Sequence, residues 1–400
     1  MSHRTLCRAK DVILVLSFLV ILFLPFVDSL LSIDPSPALS ENRRLVDFPS
    51  FGFGLQDVRQ HPLDIRSWYE VAQLISLFPP QFTEYFNDHF GFRKLLVRGS
   101  SLMALAGFPS ASDVIVGRDG WLYLGDARAV SSYLRDEPMS QVELDGWVKE
   151  LKDRQRKLKE RNIKYVLVLA PEKSTVYPEF MPERLIPGSS EKRLDQLATL
   201  LEENTDMHVI DARSPLLKYG DPTIFLYYRT DSHWNDVGAL LVAKEIIEQL
   251  RGAFPSLTPP TLSDFDLVVK EGLGGDLAGL LALRDILHEE ATYLVARSHS
   301  RAKQSATGID QALVAPNALQ QPSATEVDDR TLPRVVLFMD SFGNALLPYL
   351  SNTFSRLLIL RQYSIDWAIV EKESPDIVIQ VIVERQLYAP LPPESSILLR

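Results

Sequence analysis

Hydrophobic and polar positions change their period several times along the chain. Residues 12–27 form an apolar run interrupted only by Ser17 and Pro25. With Asp28, Ser29, Leu30 and Leu31 the stretch reaches about 20 residues, enough to span a bilayer. Residues 33–49 are rich in Pro, Ser and charge and read as a tether. From 79 to 105 apolar residues recur at helical spacing and predict a lead-in helix pair. At 114–124 two short apolar runs flank Asp119-Gly120, a hairpin signal.

From Ser140 onward long amphipathic segments alternate with β-branched runs. Helices are predicted over 142–161 and 191–204, after Trp234, through Leu347 and Leu350, and over 365–372. Strands are predicted at 164–170, 208–210, 223–228, 265–269, 335–339, 357–360 and 376–383. This alternation predicts an α/β sandwich around a mainly parallel sheet, with ligand sites beyond the carboxyl ends of its strands. The segment 298–333, rich in Ser, Ala, Gln and Pro, reads as a long mobile surface excursion. The expected organisation is therefore a basic flank and membrane segment over 1–32, a tether and lead-in over 33–78, and an α/β domain over 79–400.

Composition sharpens this. Hydrophobic residues make up 46% of the 400 and charged residues 24%, as in an ordered globular chain. A net charge of -10 argues against sequence-independent nucleic-acid binding, which needs a basic surface. Cys7 is the only cysteine, so the folded part holds no internal disulfide, Cys-based zinc site or thiol nucleophile. Arg4, Arg8 and Lys10 precede the apolar run. A basic flank is retained in the cytoplasm, which places the body of the protein outside. An uncleaved signal anchor and a cleaved signal peptide are both compatible with the run, whose length favours the anchor.

Two stretches carry candidate chemistry. One is Thr230-Asp231-Ser232-His233-Trp234-Asn235 at a helix entrance. The other is Met339-Asp340-Ser341-Phe342-Gly343-Asn344, just after an apolar strand. A serine hydroxyl needs a base to take its proton, histidine titrates in the right range, and a carboxylate fixes the histidine tautomer. Ser341, His233 and Asp231 supply those three roles. The backbone N–H groups of Ser341, Phe342 and Gly343, with the Asn344 amide, are candidate oxyanion donors; Gly343 would leave room for substrate. Plain helix capping by Asp231, Ser232, Asp340 or Ser341, and metal binding by the Asp231/His233 pair, remain open on these residues alone.

The two stretches, with Glu41-Asn42-Arg43, Phe86-Asn87-Asp88-His89-Phe90, Val116-Gly117-Arg118-Asp119-Gly120-Trp121-Leu122, Pro171-Glu172-Lys173-Ser174-Thr175-Val176-Tyr177-Pro178-Glu179, Gly275-Asp276-Leu277 and Glu384-Arg385, resemble the alginate O-acetyltransferase family. These are AlgJ/AlgX-like proteins, the DHHW branch of the SGNH hydrolase-like group. The resemblance implies an SGNH hydrolase-like three-layer sandwich with a circularly permuted triad order, Asp-x-His ahead of Ser. It implies Ser341 as nucleophile, His233 as general base and acid, and Asp231 as orienting carboxylate. Lys173, Tyr177, Asn344 and Arg385 are expected near the polysaccharide, with neither cofactor nor metal. The implied reaction moves an acetyl group onto hydroxyls of an exported polysaccharide through an acetyl-serine. The implied supplier of acetyl groups is a membrane-bound O-acyltransferase. The implied location is the inner membrane, single-pass, with the catalytic domain periplasmic. A polysaccharide acetyl esterase and a non-catalytic polysaccharide-binding or assembly protein are the alternatives.

Overall fold

The computed structural model describes residues 12, 14–20, 23, 27–28, 46–49, 65–89, 92–108, 112–309 and 321–390. Most of the expected tether, the Glu41-Asn42-Arg43 motif, much of the 12–31 run and residues 310–320 lie outside the described residues. Among the described residues no helix is long and apolar enough to cross a membrane. The chain divides into two compact units, Met1–Ser112 with Ala278–Ile286, and Asp113–Leu277 with Leu287–Arg400.

The first unit carries the helices Ile65–His89 and Arg93–Leu105. Phe78, Phe82 and Phe86 recur at four-residue spacing, so successive rings stack with centroids 5.5 and 6.3 Å apart. His89 stacks on Tyr85 at 4.1 Å, with its Nδ1 2.9 Å from the Tyr85 carbonyl oxygen. It serves the last helical turn.

The second unit opens with a hairpin of β1 (Val114–Val116) and β2 (Leu122–Leu124). Its turn places Asp119 and Gly120 at φ of 53° and 77°, the left-handed region that Asp-Gly tolerates. The remaining strands are β3 (Lys164–Ala170), β4 (His208–Asp211), β5 (Phe265–Leu273), β6 (His288–Ala296), β7 (Lys303–Ser305), β8 (Ser323–Glu326), β9 (Arg334–Phe338), β10 (Arg356–Leu360) and β11 (Ile377–Val383). β5 and β6 form a separate antiparallel ribbon. The others make one mixed sheet in the order β4-β3-β11-β9-β10-β8-β7. Its five strands from β4 to β10 are parallel, while β8 and β7 add an antiparallel edge.

The parallel strands are buried on both faces, which is why they read as unbroken hydrophobic runs. Val166, Val168 and Ala170 of β3 enter the core under the helix Asp236–Leu250. The alternate residues Tyr165, Leu167 and Leu169 enter the core under the helices Gln141–Lys159, Arg193–Asn204 and Trp367–Glu373. The result is a three-layer sandwich. A reciprocal capping box between Ser140 and Glu143 starts the Gln141–Lys159 helix.

Two expectations need correction. The 298–333 segment is not wholly an excursion, because β7 and β8 lie in it and β8 pairs with β10. These strands escape a periodicity search because Lys-Gln-Ser and Ser-Ala-Thr-Glu lack apolar alternation. Residues 223–228 form no sheet strand. The Leu226 N–H donates to the Tyr177 hydroxyl, and Tyr227 makes only an isolated bridge to Trp234 across a tight turn.

Candidate active site

Parallel pairing sets the ends of β3, β9 and β11 side by side, since Val383 lies opposite Ala170 and Gln380 opposite Phe338. The residues that follow, Glu172-Lys173, Asp340-Ser341 and Glu384-Arg385, therefore emerge along one edge of the sheet. Asp340 fixes the middle turn. One carboxylate oxygen accepts from the Phe342 N–H at 2.9 Å, the other from the Tyr363 hydroxyl at 2.9 Å and the Val383 N–H at 2.7 Å. Its role is to hold the turn that presents Ser341.

The turn at 226–235 brings the second stretch onto this edge. Asn235, not Asp231 or Ser232, caps the next helix: its side-chain oxygen accepts from the Val237 and Gly238 N–H groups, both at 3.1 Å. Trp234 is fully buried, and its indole N–H donates to the Phe342 carbonyl at 3.1 Å, tying the two stretches together.

His233 Nε2 lies 2.8 Å from Ser341 Oγ, and His233 Nδ1 lies 2.7 Å from Asp231 Oδ1. An ionised carboxylate only accepts, so Nδ1 carries the proton and Nε2 is left to accept from the serine hydroxyl. The two-residue spacing works because the Asp231 carboxylate also accepts from the His233 N–H at 3.0 Å in a tight turn. Burial works to lower the histidine pKa, but the hydrogen bond and charge of Asp231 outweigh it and hold it above its ordinary value. Burial works to raise Asp231, and the His233 contact with the Asp276 and His233 N–H groups holds it well below the usual carboxylate range.

Asp276 belongs to the Gly275-Asp276-Leu277 motif, but no role could be assigned to it from sequence. It accepts from the Ser232 N–H at 2.7 Å and the Ser232 hydroxyl at 2.5 Å, and lies 3.4 Å from His233 Nδ1. Its own N–H donates to Asp231 Oδ2 at 2.9 Å. Burial and the neighbouring Asp231 charge raise its pKa. The motif was the signal for it, and its glycine has a packing reason. A side chain at Gly275 would stand 2.7 Å from Asp231 Oδ2, so that position must stay bare. Asp231, His233 and Asp276 offer possible metal-ligand atoms within 4.8 Å of one another, but each is already engaged in the hydrogen bonds just described.

The other expected residues fare differently. Arg385 donates to Glu172 at 2.6 Å, with its guanidinium 5.7 Å from the centre of the Phe342 ring. Burial opposes the Arg385 charge, but Glu172 more than compensates and keeps it protonated. Asn344 is exposed one turn beyond Ser341. Lys173 and Tyr177 do not face a ligand as expected. Lys173 is 2% exposed and spends its three N–H donors on backbone carbonyls; Tyr177 packs on Trp121 at 4.9 Å while its hydroxyl accepts from Leu226. Gly343 leaves no substrate space either: a side chain there would collide with Met339. Of the candidate oxyanion donors, the Phe342 N–H is taken by the Asp340 side chain and the Gly343 N–H by the Asp340 carbonyl at 3.2 Å. The Ser341 N–H and the Asn344 amide remain.

A three-layer α/β sandwich with serine, histidine and aspartate hydrogen-bonded at its strand ends is an arrangement that several hydrolase-like folds share. Residues 114–359 match the model of the family described as "SGNH hydrolase-like domain, acetyltransferase AlgX", and the chain belongs to that family. It is 30% identical over 139 residues to "Probable alginate O-acetylase AlgJ" of Pseudomonas aeruginosa, covering 34% of this chain and 33% of that protein. It is 27% identical over 205 residues to the Pseudomonas fluorescens protein of the same name, covering 50% and 49%. These matches thus span half or less of each relative. The fold is similar to that of Bacillus cereus PatB1, with a TM-score of 0.50, 16% identity, and coverage of 72% of this chain and 99% of that one.

Proposed function

We propose that the protein is a polysaccharide O-acetyltransferase that works through an acetyl-serine at Ser341. The observation that carries the reading is the hydrogen-bonded chain Ser341, His233, Asp231, at 2.8 and 2.7 Å, in a member of an acetyltransferase family. Ser341 Oγ attacks the acetyl carbonyl carbon while His233 Nε2 takes the hydroxyl proton, and Asp231 stabilises the resulting imidazolium without accepting its proton. The Ser341 N–H and the Asn344 amide are the proposed donors to the oxyanion. Collapse expels the donor group with the proton from His233. The acceptor hydroxyl then gives its proton to His233 and attacks the acetyl-serine, and His233 returns that proton to Ser341 Oγ as the ester leaves. The triad runs Asp231, His233, Ser341 in sequence, permuted relative to ordinary SGNH esterases. Arg385 is a proposed sugar contact.

The names of the AlgJ relatives support an exported polysaccharide such as alginate as the acceptor. The basic flank and apolar run at 4–31 support a single-pass inner-membrane anchor with a periplasmic catalytic unit. A membrane-bound O-acyltransferase is the proposed source of acetyl groups. The test is complementation: cells lacking the gene are given wild-type protein or Ser341→Ala at matched abundance, and ester carbonyl in the exported polysaccharide is read by infrared spectroscopy and proton NMR. Restoration by wild type alone is expected. Equal restoration by Ser341→Ala would refute the acetyl-serine.

A further inference from the structure

The segment 228–231 carries the carboxylate of the proposed triad yet belongs to no sheet strand, so its geometry must be fixed otherwise. Two buried, oppositely charged side chains grip it. From one side the Lys173 ammonium donates to the carbonyls of Tyr228 at 3.0 Å, Arg229 at 2.9 Å and Asp231 at 2.7 Å. From the other, the Glu289 carboxylate accepts from the Arg229 N–H at 2.5 Å, the Thr230 N–H at 3.3 Å and the Thr230 hydroxyl at 2.6 Å. Lys173 is 2% exposed and Glu289 7%. The Leu122 N–H adds one bond to the Arg229 carbonyl and the Gly275 N–H one to the Thr230 hydroxyl.

A buried charge is costly unless its hydrogen-bonding capacity is filled. Here an ammonium with three donors meets three carbonyls, and its charge is countered by Asp231, Glu289, Asp276 and Glu172 and by the faces of Trp121 at 5.3 Å and Tyr123 at 5.1 Å. A neutral side chain of the same length would leave carbonyls unpaired and free the segment to drift.

We infer that Lys173 and Glu289 are positioning residues, a two-sided clamp that holds 228–231 so that Asp231 and His233 meet Ser341. This rests on the reading of Ser341 as the acylated nucleophile. Burial draws the Lys173 ammonium down to about 7, despite the raising charges of those four carboxylates. Above that pH the amine has only two N–H donors for three carbonyls. The clamp therefore loosens on the alkaline side.

The test uses the full chain as wild type, Lys173→Ala, Glu289→Gln and Leu197→Ala. Leu197 is buried in the core on the opposite face of the sheet and serves as a control for stability loss. Three quantities are read: the downfield proton resonance of His233 Nδ1–H, the rate and KM of Ser341 acylation by p-nitrophenyl acetate, and Tm. We expect both clamp variants to lose the downfield resonance and to acylate about 10- to 100-fold more slowly, with little change in KM, because a misplacement of about 1 Å costs on that order. We expect Leu197→Ala to lower Tm while keeping resonance and rate. n-Propylamine, which replaces the atoms removed in Lys173→Ala, is expected to restore part of that variant's rate and leave Leu197→Ala unchanged. The wild-type rate is expected to fall on the alkaline side of its maximum, and that fall to be absent from Lys173→Ala. Folded clamp variants with wild-type resonance and rate would overturn the inference; Glu289→Gln, nearly isosteric, supplies that comparison where Lys173→Ala does not fold. If the resonance is lost in the variants but wild type never acylates, the clamp stands and the acetyl-serine reading fails.

Discussion

Gly275→Ala isolates the geometry of the acid without removing a charged group. The new methyl would stand 2.4 Å from the Asp231 Cβ, 2.7 Å from its Oδ2 and 2.8 Å from its Cα, where ordinary contact begins near 3.4 Å. The obstacle includes backbone, so Asp231 must retreat by about 1 Å, and the 2.7 Å bond to His233 Nδ1 stretches past the limit of a hydrogen bond. His233 then loses the partner that fixes its tautomer. Misplacement of about 1 Å costs on the order of 100-fold, so we predict an acylation rate lower by some tens of fold with KM nearly unchanged. Overpacking also predicts a stability loss of roughly 1–3 kcal/mol. Stopped-flow release of p-nitrophenol from the acetate ester measures the first, and urea unfolding the second. A folded Gly275→Ala protein that acylates at the wild-type rate would refute the argument that Asp231 acts through this close-packed turn.

The pH-rate profile of acylation should be bell-shaped: its acid limb rises through a value above 6.5, because His233 is raised and only its neutral form accepts the serine proton, and its alkaline limb falls as Lys173 loses its proton. A profile flat from about pH 5 to 8 would count against His233 as the base. Asp231, held below its unfolded pKa, contributes stability that is present above the ordinary carboxylate value and lost as pH falls through the depressed one. Unfolding free energy of wild type should therefore fall more steeply between about pH 4 and 2 than that of Asp231→Asn, and parallel curves would contradict the assignment. Asp340→Ala leaves the buried Phe342 and Val383 N–H groups and the Tyr363 hydroxyl without their acceptor. At roughly 1–3 kcal/mol for each buried donor, we expect at least about 3 kcal/mol of lost stability, read by urea denaturation.

How much of this was legible in the sequence depends on how local each feature is. Strands such as β3 and β11, apolar on both faces, could be read directly because their burial leaves a continuous run of residues. β7 and β8 could not, because short polar strands are defined by the neighbour they pair with. Ser341, His233 and Asp231 could be named because the residue types and their positions match a proton-relay chemistry. The roles of Asp276, Glu289 and Lys173 depend on contacts 44 to 60 residues away in sequence, between loops whose approach no periodicity encodes. Lys173 shows the difference most sharply. Its place in a motif suggested a ligand contact, while its burial makes it a support for the turn bearing Asp231. Gly343 likewise is small because Met339 packs against it, a packing requirement invisible without the fold.

The central claim is an acetyl group carried on one serine oxygen, and peptide mass spectrometry of the acid-quenched protein tests it most directly. Wild-type protein mixed with p-nitrophenyl acetate is quenched within the burst, digested, and compared with His233→Gln and Ser341→Ala. The account predicts a mass increase of one acetyl group on the wild-type peptide containing Ser341, its disappearance when acceptor polysaccharide is added before the quench, and its absence from both variants. An acetyl group found at another residue in wild type, or the Ser341 peptide left unmodified while p-nitrophenol is released in a burst, would contradict it.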